Sequence, residues 1–203
     1  MDRFKKSSMG IVFINKKQKK SAQLHEPNIQ LRMTVYASLL AALIAAGAYV
    51  AIPIGPVPVV LQNLFVFLAG LLLGSRWGVA SVGVYLFAGA LGLPVFAGGI
   101  GGIGRLVGPT GGYLVGFLPA VFVIGLIAER AENGVFIEVI AMVCGTVIIY
   151  LFGVTWLKLL TNMTLSKTLV IGMYPFLLGD IIKIAAAVPI VRALRPVIRP
   201  HFS

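Results

Sequence analysis

The sequence predicts an all-α integral membrane protein with six transmembrane helices and both termini in the cytoplasm. Hydrophobic residues make up 59% of the 203 residues and charged residues only 11%. In a soluble domain, roughly a quarter of the residues are charged. The apolar residues are gathered into six runs, most of them near the length of about 20 residues that spans a bilayer. These two observations exclude both a water-soluble domain and a disordered chain.

The six predicted spans follow one another along the chain, and the second is the shortest. They are residues 33–52, 61–73, 78–96, 111–128, 135–157 and 168–191. We therefore expect one membrane domain over residues 33–192. It is flanked by a basic N-terminal tail, residues 1–32, and a basic C-terminal tail, residues 193–203.

The basic residues predict the orientation of these spans. Eight Lys or Arg before the first span, Arg76, Arg130 and three Arg near the C-terminus make 13 on one side, against three on the other. Cytoplasmic loops are enriched in Lys and Arg, so both termini are predicted to lie inside. Basic flanks also attract anionic lipid headgroups, by about 1 kcal/mol per residue. The expected contact is thus membrane lipid, and no nucleic acid.

Patterns of catalysis and metal binding are missing from the sequence. The only histidines, His25 and His201, lie in the predicted tails, and Cys144 is the only cysteine. No P-loop pattern occurs, so the chain is not expected to hydrolyse ATP itself. We predict no catalytic residue, no metal site and no covalently bound cofactor.

Two irregular stretches lie at the predicted outer ends of the spans. Residues 52–60 contain three prolines in six positions, and residues 92–112 are rich in glycine yet mostly apolar. Irregular backbone at membrane depth persists only where it is buried in protein or lines a cavity. An outward-facing binding site is the favoured interpretation, and a flexible loop is the alternative.

Three charged residues stand out from the apolar background. Asp180 and Lys183 lie within the last predicted span, where a charge costs at least ~2.5–3.5 kcal/mol on insertion scales. At this spacing they share one helix face, either as a structural ion pair or as anchors for a polar ligand. Arg105 is the only charge in the glycine-rich loop. Its planar fork suits a ligand carboxylate or phosphate, or a lipid phosphate.

Small residues recur every four positions on the first predicted span. Ala41 and Ala45 lie beside Ala42 and Ala46, and such stripes allow membrane helices to approach closely. The stripe predicts either packing within the bundle or contact with another subunit.

Four strings together resemble the BioY family, the biotin-specific S components of energy-coupling factor (ECF) transporters. They are residues 53–62 (PIGPVPVVLQ), 92–99 (GLPVFAGG), 108–117 (GPTGGYLVGF) and 178–183 (LGDIIK). The resemblance covers about residues 33–192, although Val60 stands where a Thr is expected. It implies a multi-pass protein of the cell membrane that captures biotin from outside. It also implies docking, through the alanine stripe, on a transmembrane T component with two cytoplasmic ATPases.

The resemblance also implies which residues bind biotin, the transported ligand. Asp180 would accept from the ureido N–H groups, Lys183 would donate to the ureido C=O, and Arg105 would pair with the carboxylate. The remaining candidates are Gln62, Asn63, Phe96, Gly99 and Tyr113. An S component for another vitamin and a stand-alone facilitative carrier are the alternatives.

Overall fold

The computed structural model describes residues 29–52, 57–130 and 134–198, which form helices joined by loops and one pair of short strands. The helices are α1 (Ile29–Tyr49), α2 (Gln62–Ala90), α3 (Ile103–Val107), α4 (Gly111–Arg130), α5 (Val135–Thr161), α6 (Leu165–Gly172) and α7 (Tyr174–Ile198). Within these residues α1, α2, α4 and α5 are long and apolar enough to cross a membrane. The chain divides into two units after Val35, and all predicted binding residues lie in the second.

Helix α2 is broken at Gly74 into two segments, residues 62–73 and 75–90. Gly74 has φ 82° and ψ −173°, a conformation that is open mainly to glycine. Gln62 Nε2 lies 2.8 Å from Tyr85 Oη, although 23 residues would span about 35 Å along a straight helix. The two segments therefore run antiparallel, and the break falls between the second and third predicted spans.

Glycines bring α2, α4 and α5 close together around Ile124, which is fully buried. A Cβ added to Gly70 would lie 2.7 Å from Ile124 Cγ2, and one added to Gly145 would lie 2.4 Å from Ile124 Cδ1. Both distances are too short for a real contact. The close packing of these three helices thus depends on positions without side chains, as is usual between membrane helices.

The polar contacts at one end of the bundle connect α2 to α4 and α5 to α7. Ser75 donates from its backbone N to Glu129 Oε1 and from Oγ to Oε2, both at 2.8 Å. Arg195 Nη1 lies 2.7 Å from Glu138 Oε1. Because α5 follows directly on α4, the break at Gly74 and the end of α7 lie at the same end of the bundle.

The helix ends differ from the predicted spans in several places. The last predicted span is interrupted at Met173, which is not helical, and α7 then begins with Pro175 in its first turn, where the missing N–H costs little. Helix α2 ends at Ala90 rather than 96, because Gly92 has φ 100° and Pro94 follows. The first and last described helices extend to Ile29 and Ile198, since backbone hydrogen bonds continue a helix beyond its apolar run.

The two short strands pair next to α2. Strand β1 (Ala51–Ile52) is antiparallel to β2 (Val59–Val60), with Ala51 opposite Val60. The amide of Leu61 then donates to Val50 O at 3.1 Å. The described part of the proline-rich stretch ends in this small ribbon, which leads directly into α2.

Candidate functional site

A cavity lies at the opposite end of the bundle from the Glu138–Arg195 ion pair. It contains about 580 Å³ of space between its lining atoms, including the space at its mouth. Its wall is formed by β2, the first turn of α2, the loop before α4, and parts of α4, α5 and α7. The described parts of the two irregular stretches thus contribute to the cavity wall together with the helices.

Six of the eight predicted binding residues line this cavity. They are Gln62, Asn63, Phe96, Arg105, Tyr113 and Lys183. The other two, Asp180 and Gly99, are not among the lining residues. Asp180 accepts hydrogen bonds from two of the lining residues, and Gly99 lies in the loop that follows Phe96.

Asp180, Lys183 and Tyr150 form a hydrogen-bonded group that we call the polar floor. Lys183 Nζ lies 3.0 Å from Asp180 Oδ1, and the two side chains are only 7% and 4% exposed. The Tyr150 hydroxyl donates to Asp180 Oδ2. Both oxygens of Asp180 are therefore engaged inside the protein, while Lys183 and Tyr150 reach the cavity.

Two buried polar atoms in the cavity wall have no hydrogen-bond partner within the described residues. Arg105 donates from Nη2 to Ala97 O at 2.9 Å, but its buried Nε is unpartnered. Thr110, which immediately precedes α4 and is 8% exposed, has an unpartnered Oγ1. Buried polar groups are normally hydrogen-bonded, so a polar ligand is a suitable partner for both.

Phe96 is held firmly at the cavity by its neighbours on α2. It is 1% exposed, and its ring meets that of Tyr85 edge to face, with centroids 5.5 Å apart and planes at 82°. A Cβ added to Gly89 would lie 2.1 Å from Phe96 Cζ. The hydrogen bond from Gln62 to Tyr85 extends this contact to the first turn of α2.

Gly99 shapes the loop rather than the cavity wall. It has φ +68°, and a Cβ there would lie 3.3 Å from Tyr49 Cε1. Its turn follows Phe96, which pairs with Ile100, and the Tyr49 hydroxyl donates to Pro94 O. The glycine therefore permits the tight turn that directs Phe96 into the cavity.

Several wall residues were not predicted from the sequence. They are Val57, Pro58, Val60, Ala97, Thr110, Leu114, Phe117, Ile149, Tyr150 and Phe176. The signal for Tyr150 was present, because a tyrosine hydroxyl within an apolar span needs a hydrogen-bond partner. The apolar residues carry no comparable signal, since any residue of a membrane helix is expected to be apolar.

The predicted alanine stripe on α1 is divided between two faces of the helix. Ala41 is 7% exposed and Ala45 is half-buried, whereas Ala42 and Ala46 are exposed. The side chain of Ala41 is covered by the chain itself, and the docking role predicted for the four alanines stays a prediction. The exposed face of α1 carries Ala42 and Ala46, together with Ser38 one turn earlier.

An apolar helical bundle that encloses a cavity with a charged, buried floor defines a solute-binding membrane protein. The BioY family model matches residues 17–200, and the chain belongs to the BioY family. The family predicted from the sequence is thus confirmed, as is the prediction of a multi-pass membrane protein.

The chain aligns with nearly the whole length of several similar proteins. The biotin transporter BioY of Thermotoga maritima is 43% identical over 81% of this chain and 96% of its own. The probable biotin transporter BioY of Pyrococcus horikoshii is 42% identical over 78% and 93%. A crystal structure of the S-component for biotin from an ECF-type ABC transporter matches with a TM-score of 0.79 and 34% identity, covering 87% of this chain and 98% of that one. The chain therefore has the S-component fold.

Proposed function

We propose that this chain is the substrate-capture subunit of a biotin uptake transporter and not an enzyme. It binds biotin at the outer side and docks on an ATP-driven energy-coupling module. The names of its relatives and the S-component fold support this function. The observation that carries it is the pair of unpartnered polar atoms, Arg105 Nε and Thr110 Oγ1, in the same cavity as Lys183.

The chemistry of biotin corresponds to the two ends of this cavity. Biotin has a ureido ring with two N–H donors and one C=O acceptor, an apolar ring and chain, and a terminal carboxylate. Lys183 in the polar floor supplies a donor for the C=O, while Arg105 and Thr110 supply donors for the carboxylate. Phe96, Phe117, Phe176 and Tyr113 cover the apolar middle, which is the usual composition of a small-molecule site.

Six spans are obtained when the segments of α2 are counted separately. They are α1, residues 62–73, residues 75–90, α4, α5 and α7. Asp180, Lys183, Arg192 and Arg195 make α7 the most charged of these. A charged helix is tolerated in a bilayer when its charges face the bundle interior or its ends reach water.

Basic residues at one end of the bundle support the predicted orientation in the membrane. Arg76, Arg130 and Arg195 lie at the end that carries the break at Gly74, and basic ends face the cytoplasm. The cavity at the opposite end then faces outside, with both termini inside. The division into a tail 1–32, a domain 33–192 and a tail 193–203 stays a prediction, and most of the first tail is outside the described residues.

Energy for uptake must come from other subunits. The sequence has no P-loop, and the coupling module of an ECF transporter contains a T component and two ATPases, as the family resemblance implies. We assign the docking surface to the exposed small residues Ala42 and Ala46 of α1. Membrane lipid covers the remaining apolar outer surface.

Calorimetry of the purified chain in detergent tests the binding proposal. We expect saturable binding of biotin at one site and none of riboflavin or thiamine, and the reverse preference would assign the chain to another vitamin. Proteoliposomes that contain only this chain should not accumulate biotin against a gradient. Downhill flux of biotin in them would instead favour a stand-alone facilitative carrier.

A further inference from the structure

Tyr150 occupies the point where α5 meets α7 at the cavity. Its side chain lines the cavity, it is 9% exposed, and its hydroxyl donates to Asp180 Oδ2. Lys183 donates to the other oxygen of the same carboxylate, at 3.0 Å. Two cavity-lining polar groups are thus held side by side by one residue that is not itself part of the lining.

The distribution of protons decides what each group can offer to a ligand. A phenol has a single O–H, and here it is given to Asp180, so the Tyr150 oxygen can only accept from the cavity side. An ammonium has three N–H donors, and one of those of Lys183 is used on Asp180. The polar floor therefore presents one acceptor and one donor next to each other.

We infer that Tyr150 determines specificity by accepting a hydrogen bond from one ureido N–H of the ligand, while Lys183 donates to the adjacent C=O. This inference rests on the proposed function. An N–H and a C=O that share one edge of a cyclic urea need an acceptor and a donor side by side, as Tyr150 and Lys183 supply them. Asp180 is then a positioning residue that orients both groups.

This assignment differs from the role that the sequence suggested for Asp180. Both of its oxygens already accept hydrogen bonds from the protein, and Lys183 and Tyr150 line the cavity whereas Asp180 does not. A carboxylate in that place fixes the direction of the phenol O–H. With that O–H turned away, the lone pairs of Tyr150 are available to the ligand.

The test compares biotin with two lactam analogues, in each of which one ureido N–H is replaced by CH₂. Each analogue lacks one donor and keeps the C=O. Affinities are measured by calorimetry for the wild type, for Tyr150→Phe and for Tyr174→Phe. Tyr174 is 54% exposed at the start of α7, so Tyr174→Phe is the matched control and should bind all three ligands as the wild type does.

We expect Tyr150→Phe to weaken biotin roughly 5- to 150-fold, because a buried ligand donor loses its acceptor. Its preference for biotin over one of the two lactams should disappear, while its preference over the other should stay. A purely structural role would lower all affinities together. Unchanged preferences over both lactams in Tyr150→Phe would overturn the inference.

Asp180→Asn, measured with the same ligands, is the second variant. It should bind biotin more weakly, because Asn has a single acceptor oxygen for the two donors that Asp180 receives. With that oxygen accepting from Tyr150, the variant should keep the lactam preference that Tyr150→Phe loses. If Asp180→Asn loses this preference and Tyr150→Phe keeps it, Asp180 is the direct acceptor. Failure of the wild type to bind biotin would contradict the proposed function itself. If the wild type binds biotin and the variants keep its preferences among the three ligands, only the role of Tyr150 is contradicted.

Discussion

Lys183 and Asp180 form an ion pair inside α7, with Nζ 3.0 Å from Oδ1 and both side chains almost completely buried. They are three residues apart and therefore lie on the same face of the helix. Removing one partner of such a pair strands a buried charge and costs ~3–5 kcal/mol. Removing both avoids that penalty, which makes it possible to separate folding from binding.

Neutralising this pair should preserve the fold and abolish binding. We expect Asp180→Asn and Lys183→Met each to lower the thermal unfolding temperature, because each leaves one charge unpaired. The double variant should be at least as stable as either single variant. It should nevertheless fail to bind biotin, since Met offers no donor to the ureido C=O. Thermal unfolding and calorimetry in detergent measure the two effects.

The Glu138–Arg195 ion pair provides the matched control. It is also formed between buried or nearly buried side chains, 4% and 17% exposed, but it lies at the opposite end of the bundle. The double variant Glu138→Gln with Arg195→Met should therefore keep its affinity for biotin. If the Asp180 and Lys183 double variant is stable and binds biotin with near-native affinity, that pair is only structural.

Arg105 and Thr110 should recognise the carboxylate of biotin. Truncating one partner of a desolvated charge pair costs ~2–5 kcal/mol, so Arg105→Ala should weaken biotin strongly. Thr110→Val removes only a hydroxyl and should cost about 0.5–3 kcal/mol. Both variants should weaken an amide-capped biotin far less. Calorimetry with the acid and the amide separates the two contributions.

Arg105 also donates to Ala97 O, so a second explanation for its effect must be tested. If Arg105 only holds the loop, Arg105→Ala will weaken the acid and the amide equally. Thr110→Val is the internal comparison, because no hydrogen bond of its Oγ1 to the described residues is lost. Equal losses for both ligands in both variants would contradict recognition of the carboxylate.

The charged part of the site could be predicted from the sequence, because a charge in an apolar span requires compensation wherever it lies. Lys183 was found in this way, whereas Arg105 was found as the only charge in the glycine-rich loop, and both line the cavity. The position of Asp180 behind Lys183 could not be predicted. It depends on Tyr150, which is 30 residues away on another helix, and no spacing in the sequence connects the two.

The sequence could not show which alanines of the stripe on α1 are buried and which are exposed. In a soluble helix, polar residues would mark the outer face, but lipid and protein interior are both apolar. Ala41 and Ala42 are therefore indistinguishable by composition, although the first is buried and the second exposed. The interruption at Met173 was missed for the same reason, since Met is as apolar as the helix around it.

The backbone conformation at the break predicts that replacing Gly74 by a residue with a side chain will destabilise the fold. Its φ of 82° and ψ of −173° belong to a region that is nearly exclusive to glycine, so Gly74→Ala should destabilise the fold by ~1–3 kcal/mol. Gly83→Ala is the control, because nothing lies within 4 Å of a Cβ added there. Thermal unfolding in detergent should separate the two variants, and an equal unfolding temperature for both would contradict strain at Gly74.

Docking should depend on the exposed face of α1 and not on its buried face. Replacing Ala42 and Ala46 by Trp places bulk where a partner helix must approach closely. The variant should bind biotin normally, because both alanines point away from the chain's own core. It should not co-purify with the T component and the ATPases, and cells that carry it should lose energised biotin uptake.

Val147→Trp is the control for added bulk in the membrane. Val147 is 60% exposed on α5, so a larger side chain there should be covered by lipid and should leave co-purification and uptake unchanged. Ala41→Trp, in contrast, should impair folding itself, because Ala41 is covered by its own bundle. Co-purification of the Ala42 and Ala46 variant with the coupling module would mean that another face of the protein contacts the T component, since two tryptophans leave no room for close packing along α1.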